Sequence, residues 1–467
     1  MTNLSRYKIA LAIVALTTFA SCKTDYLELD PTSAIPTSQA LNTEADVRVA
    51  LNGAYAGLRN VDLYGRTVPV IGDVMADNAY QSTVNTNRYT LFNNYTFTVA
   101  DANVSGLWSS AYTAILRANN IINANVASSA NVDQYKGEAY AIRALSYFTL
   151  VRYFARPYTD NPNGLGVPII TKYDPDAKPA RNTVAEVYTQ INNDLTQAYT
   201  LMTKYTNSSQ FNKYAAKGLQ AKVYLTMGDY SNALTAALDV INNGGFKSVT
   251  GENYVAYWNE PGIRSDKLET LFEVSSDAVG NLQFDALSYL YSQQGNYGDF
   301  LVSTDLNALF GTTDVRKQVF PNAQRPTGTA VVAIAKYPSI LADRSDTKVI
   351  RLSEMYLIAA EASYALGNED NARTYVNYIT SRRGATAISS TGAQLFEDII
   401  NERRKELALE GDRYMDLQRL KRDVVRSTNY PSSARSIPYS NYRRVLPIPQ
   451  VELDANPNIR SQQNAGY

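Results

Sequence analysis

The residues of this sequence best placed to do chemistry are aromatic and polar rather than nucleophilic. Tyr289, Tyr291 and Tyr297 crowd one stretch with Asn296 and Asp299, in the run GNLQFDALSYLYSQQGNYGDF. Flat apolar faces with polar tips, beside amide and carboxylate groups, suit a sugar ring, which offers one C–H face and a rim of hydroxyls. Trp258, in YVAYWNEPG, is a second candidate for stacking, and Asp77, Asn78, Tyr80 and Arg88 form a third cluster. Tyr289 and Tyr291 alternate as on an extended strand, so one of the pair can face the core. Most of the 35 tyrosines are expected at helix–helix contacts instead.

Other chemistries lack their residues. The chain has no histidine and one cysteine, which removes Ser-His, Cys-His and His-metal sites. No Gly-rich phosphate loop, GxSxG elbow or EF-hand loop is present. Equal numbers of basic and acidic residues, 44 each, leave no net positive surface for nucleic acid. With that many acids, a glycosidase pair at about 5–9 Å stays open. The mixed-charge set Glu402, Arg403, Glu406, Glu410 and Arg413 reads as an ion-pair network. Glu406, Glu410 and Arg413 are expected on one face of a helix ended by Gly411, and the network is expected to tie the last helix to the C-terminal tail. Trp108, at helical spacing with Tyr112 and Ile115, reads as core.

The elements that position these residues begin with an export signal. Arg6 and Lys8 precede the apolar run 9–20, too short to span a bilayer at about 20 residues per crossing, and Ser21 leads into the single Cys22. Phe19-Ala20-Ser21-Cys22 resembles a bacterial lipobox, with Phe19 where Leu is usual, and Cys22 is the expected lipid attachment site. Residues 1–21 are then a signal peptide and 22–40, with Pro31 and Pro36, an extended tether. Apolar periodicity predicts helices at 43–58, capped by Thr43, and at 134–154, 183–203 and 395–410. The helix at 134–154 carries two apolar strips and is expected to be covered on two sides.

An internal repeat supplies the architecture. Superposing Gly228 on Gly367 aligns Leu219 with Ile358, Ala221 with Ala360, Ala233 with Ala372, Ala237 with Val376 and Val240 with Ile379. Small residues recur where two helices of a hairpin approach, which is the tetratricopeptide pattern. The predicted fold is mainly α, a scaffold of tetratricopeptide-like hairpins with irregular insertions. Its predicted regions are an N-terminal helical part at 41–243, an irregular ligand-binding insertion at 244–350, and a C-terminal part at 351–467 that packs with the first as one unit. Loop 156–182 is a second, proline-rich insertion.

The C-terminal runs VIRLSEMYLIAAEASYALGNEDNA, LFEDIINERRKELALEGDRYMDLQRLKR and RRVLPIPQVELDANPNI resemble the SusD/RagB family of nutrient-binding lipoproteins. Arg351, Glu354, Glu361, Glu402, Arg403, Glu410, Gly411, Arg413, Asp416, Pro447, Pro449, Asn456 and Pro457 fall on its motif. Cys22, Tyr26 to Leu29, NGAYAGLR and Trp108 with Tyr112 extend the similarity to the N-terminal part. The resemblance implies a lipid-anchored protein on the outer face of a Bacteroidota outer membrane. Its partner would be a SusC-like TonB-dependent transporter, and it would capture oligosaccharides or glycopeptide-like nutrients without catalytic residues or a cofactor, with bound calcium left open. The competing readings are a secreted glycoside hydrolase and a tetratricopeptide adaptor that binds no glycan.

Overall fold

The helix Glu44–Leu58 starts where the sequence caps it. The Thr43 hydroxyl accepts the Asp46 N–H, and the Asp46 carboxylate accepts the Thr43 N–H at 2.9 Å, a reciprocal box that satisfies two orphan donors. The computed structural model describes residues 41–260, 262–277, 279–293, 297–325, 328–338 and 346–467. The predicted signal peptide, Cys22, the tether and Asn296 lie outside them.

The N-terminal part comprises α1 (Glu44–Leu58), α2 (Thr67–Val74), β1 (Ala79–Gln81), α3 (Thr90–Asn94), α4 (Ala102–Ile122), α5 (Ala130–Phe154), α6 (Val184–Leu201), α7 (Lys213–Met227) and α8 (Tyr230–Asn243). The insertion holds α9 (Tyr254–Asn259), β2 (Thr270–Val274), α10 (Leu287–Tyr291), β3 (Phe300–Val302), α11 (Thr304–Ala308), β4 (Asn322–Gln324), β5 (Ala330–Val332) and β6 (Thr347–Arg351). The C-terminal part has α12 (Leu352–Ala365), α13 (Glu369–Arg382), α14 (Gly392–Glu406), α15 (Arg413–Arg419), β7 (Val424–Val425), β8 (Ser436–Ile437) and α16 (Gln450–Ala455).

Helices α4 to α8 pack each on the next, and α8 packs on α12, which continues the stack through α13 and α14. Each helix buries apolar surface against its neighbours, the logic of a solenoid, and α1 packs on α4 and α5 in the same core. The long α5 lies between α4 and α6 and is buried along most of its length, as its two apolar strips require. The repeat superposition holds in detail. Gly228 and Gly367 both take left-handed φ, 75° and 80°, where L side chains are disfavoured. Asp229 and Asn368 then cap the second helix of each hairpin by accepting the Asn232 and Asn371 N–H groups.

The two ends of the insertion pair with each other, and its middle pairs with the N-terminal part. β2 pairs antiparallel with β6, aligning Thr270 with Arg351, and every residue of β2 is buried. β1 pairs antiparallel with β3, aligning Tyr80 with Leu301 and Gln81 with Phe300.

The mixed-charge set departs from expectation in two ways. α14 ends at Glu406, and the chain then turns through left-handed Leu409 (φ 66°) and Gly411 (φ 89°), so Glu406, Glu410 and Arg413 do not share a helical face. A Cβ on Gly411 would sit 2.7 Å from the Pro69 Cα, so the close approach to α2 also demands glycine. The partners are not the tail. Glu406 is held by Arg316 at 3.1 Å, Arg351 at 3.0 Å and Arg383 at 2.9 Å. Glu410 pairs with Arg351 and Lys336, and Arg403 with Glu354 and Asp416. The network therefore fastens α14 to the insertion and to α12 and α13. The C-terminal tail is held instead by Arg181, which donates to the Gln462 carbonyl at 2.6 Å and to Asn464 at 3.0 Å.

Candidate ligand-binding site

Two sequence clusters far apart in the chain meet at the β1–β3 pair. The insertion returns through Tyr297 to Asp299 directly beside 82–88: the Ser82 N–H donates to the Asp299 carbonyl at 2.8 Å, and the Asp299 carboxylate accepts the Thr86 N–H at 3.0 Å and the Thr86 hydroxyl. Arg325 braces the same turn, donating to the Gly298 carbonyl at 2.7 Å and to Gln293 at 2.8 Å.

On this support stands a ridge of rings. Phe284 and Tyr289 have centroids 5.3 Å apart, Tyr289 and Tyr297 meet edge to face at 5.7 Å, and the Arg88 guanidinium lies 4.9 Å above the Tyr297 ring. Tyr289, Tyr297 and Arg88 are half-buried, and Phe284 is 62% exposed. Rings that are held by one another yet partly open are what stacking on a sugar face requires. Arg88 Nη1 is buried and has no hydrogen-bond partner among the described residues, while Nη2 lies 3.6 Å from Asp285. Asp285 is already paired with Arg66 at 2.5 Å. Tyr80 stands on the adjoining strand, half-buried and edge-on to Tyr430 at 6.1 Å. Burial pushes its phenol up, and the nearby Arg325 charge opposes this.

Burial assigns the other candidates to the framework. Tyr291 is fully buried, stacked on Tyr337 at 5.8 Å, because Tyr289 and Tyr291 sit on one turn of helix rather than on a strand. Trp258, 5% exposed, is enclosed by Tyr254, Tyr257 and Tyr337, with the Lys336 ammonium 4.1 Å from its ring. Asn78 is fully buried, donating to Asp73 at 2.7 Å and accepting from Arg404 at 2.8 Å. Asp77 pairs with Arg413 at 2.8 Å; although burial opposes ionisation, the Arg413 and Arg404 charges hold its carboxyl down at about 2. Asp299 is buried and shapes the turn. Trp108 is core as expected, packed edge to face on Phe154 at 5.0 Å. Phe284 was missed: it lies within the same tyrosine-rich run, and its signal was an apolar ring flanked by Gln283 and Asp285.

Among the described residues no cluster of His, Cys, Asp or Glu is arranged to hold a metal ion, and no helix is long and apolar enough to cross a membrane.

A helical-repeat scaffold carrying an aromatic ridge on an insertion defines a class of binding protein, and the comparisons say which. Two family models match, one described as starch-binding associating with outer membrane over residues 25–225 and the SusD family model over residues 332–467. A SusD superfamily protein of Bacteroides thetaiotaomicron superposes with a TM-score of 0.82 at 32% identity, covering 90% of this chain and 99% of that one. Another from Bacteroides vulgatus gives 0.84 at 29% identity, covering 91% and 99%. SusD-like protein P2 of Formosa agariphila is 29% identical over 99% of this chain and all of its own. The chain belongs to the SusD family.

Proposed function

We propose that this protein captures oligosaccharides at the surface of an outer membrane and passes them, unaltered, to a SusC-like TonB-dependent transporter, with a lipid on Cys22 as its anchor. The observation that carries the reading is the ridge formed by Phe284, Tyr289, Tyr297 and Arg88, with Tyr80 beside it, at the junction of β1 and β3. The half-open rings take the C–H face of a sugar, and the polar side chains of the ridge take hydroxyls. The family supports the same role, since one of its models is described as starch-binding associating with outer membrane.

Capture without turnover fits the acids at the ridge. Asp285 is paired with Arg66, and Asp299 is buried and accepts from Thr86, so neither is poised as a free acid or base. The test is calorimetric titration of the chain beginning at Lys23 with a panel of oligosaccharides, each mixture then checked for shorter products. Saturable heat with intact ligand supports capture; shorter products would replace this reading with the hydrolase.

A further inference from the structure

Away from the ridge, an apolar groove of about 450 Å³ runs along α4. Trp108, Tyr112 and Ile115 line one side, and Pro168, Ile170 and Pro179 the other. Its rim carries Lys172 and Lys178, neither in an ion pair among the described residues. Two carboxylates also line it: Glu452 accepts from Trp108 Nε1 at 3.3 Å, and Asp174 accepts the Asp176 N–H at 3.0 Å.

We propose that this groove is the seat of the chain's own segment 25–31, DYLELDP. Tyr26, Leu27 and Leu29 supply apolar groups for the floor, while Asp25, Glu28 and Asp30 bring carboxylates to the two uncommitted lysines of the rim. The chain enters at the correct end. α1 lies antiparallel to α4: the Arg117 guanidinium, toward the end of α4, donates to the Gly53 carbonyl at 2.7 Å, and Glu44 accepts from Ser129, just beyond that end. There Asn123 also donates at 2.8 Å to the carbonyl of Thr171, between the groove residues Ile170 and Lys172. The residues from Pro31 to Leu41 reach up to about 35 Å when extended. The stretch of α4 from Trp108 to Ile122 is only about 21 Å long. The family model that matches from residue 25 includes this segment in its pattern.

Seating the segment shortens the anchor. If Cys22 carries the lipid, as the proposed function holds, only Lys23 and Thr24 remain free, a leash of about 10 Å rather than about 60 Å. The seat itself does not depend on the lipid or on glycan binding.

The chain beginning at Lys23 contains no cysteine. A Leu29→Cys/Thr113→Cys pair, with Thr113 on the groove wall, should form an intramolecular disulfide at least tenfold faster than Leu29→Cys/Ser381→Cys, whose second site is on α13. Equal rates overturn the proposal. Should the cysteine variants not fold, hydrogen exchange decides in their place. Leu27→Asp/Leu29→Asp should raise exchange several-fold in residues 108–116 and 168–178, and unchanged exchange there overturns it.

Discussion

The guanidinium of Arg88 lies 4.9 Å above the ring of Tyr297, joining the segment after α2 to the far side of the insertion. A cation over a ring face at a half-open site contributes about 0.5–1 kcal/mol. Its role here is to hold the ring at the angle that meets Tyr289 edge to face. Arg88→Ala should therefore weaken oligosaccharide binding about three- to tenfold with little change in melting temperature, read by titration and calorimetry on the same samples. A large loss of stability with unchanged affinity would make Arg88 framework instead.

Tyr291 separates burial from function. Its hydroxyl is buried without a hydrogen-bond partner among the described residues, and burial pushes its phenol well up. Removing an unsatisfied buried hydroxyl relieves a desolvation cost of about 1–3 kcal/mol at most. Tyr291→Phe should leave affinity unchanged and raise the urea midpoint or leave it in place. Loss of binding would mean that the inner ring reaches the ligand.

Glu406 is the hinge of the ion-pair network, fully buried among Arg316, Arg351 and Arg383, whose charges hold its carboxyl well below the usual range against the cost of burial. Removing one partner of such a set leaves buried charge uncompensated, at about 3–5 kcal/mol. Glu406→Ala should lower stability by that order in urea unfolding, with the β2–β6 end of the insertion losing exchange protection early. A change below about 1 kcal/mol would show the arginines to be satisfied without it.

The scaffold was legible because its signals are local. Thr43, Thr183 and the two hairpin glycines mark helix ends within a few residues of where they act, and the apolar strips of α5 predict its two neighbours. The site was only half legible. Composition pointed to Tyr289, Tyr297 and Arg88, but nothing local says that 79–81 pairs with 300–302. The strand reading of Tyr289 and Tyr291 fails because a five-residue helix leaves no readable period, although Tyr291 does face the core, as was open for one of the pair. The charged motif was recognised as structural, yet its partners Arg316 and Arg383 come from other elements. The left-handed turn at Leu409 and Gly411 broke the face that sequence spacing implied.

Burial pushes the Glu138 carboxyl up to about 7 from an ordinary 4.5, although Tyr55 and Gln134 donate to it. Between those values the unfolded chain has released this proton and the folded chain keeps it, so stability falls as pH rises through the interval. At about 1.36 kcal/mol per unit, the loss is of order 3 kcal/mol by pH 8. Asp73, also raised to about 7 by burial, acts in the same window. Glu138→Gln, which has no proton to lose, should halve the difference between urea unfolding free energies at pH 5 and pH 8. Asp77 and Asp416, both held at about 2 by arginines, act oppositely, and their stabilisation is lost only as pH falls below about 4.

The central claim is that the ridge holds the glycan. It is tested most directly by titrating the oligosaccharide panel into the chain beginning at Lys23 and, in parallel, into its Tyr289→Ala/Tyr297→Ala variant. The account predicts saturable binding of one glycan class to the native chain, intact ligand afterwards, and at least a tenfold weaker dissociation constant for a folded variant, about 1.4 kcal/mol. Equal affinity in the two proteins would move the site elsewhere, and no binding of any glycan to the native chain would contradict capture itself.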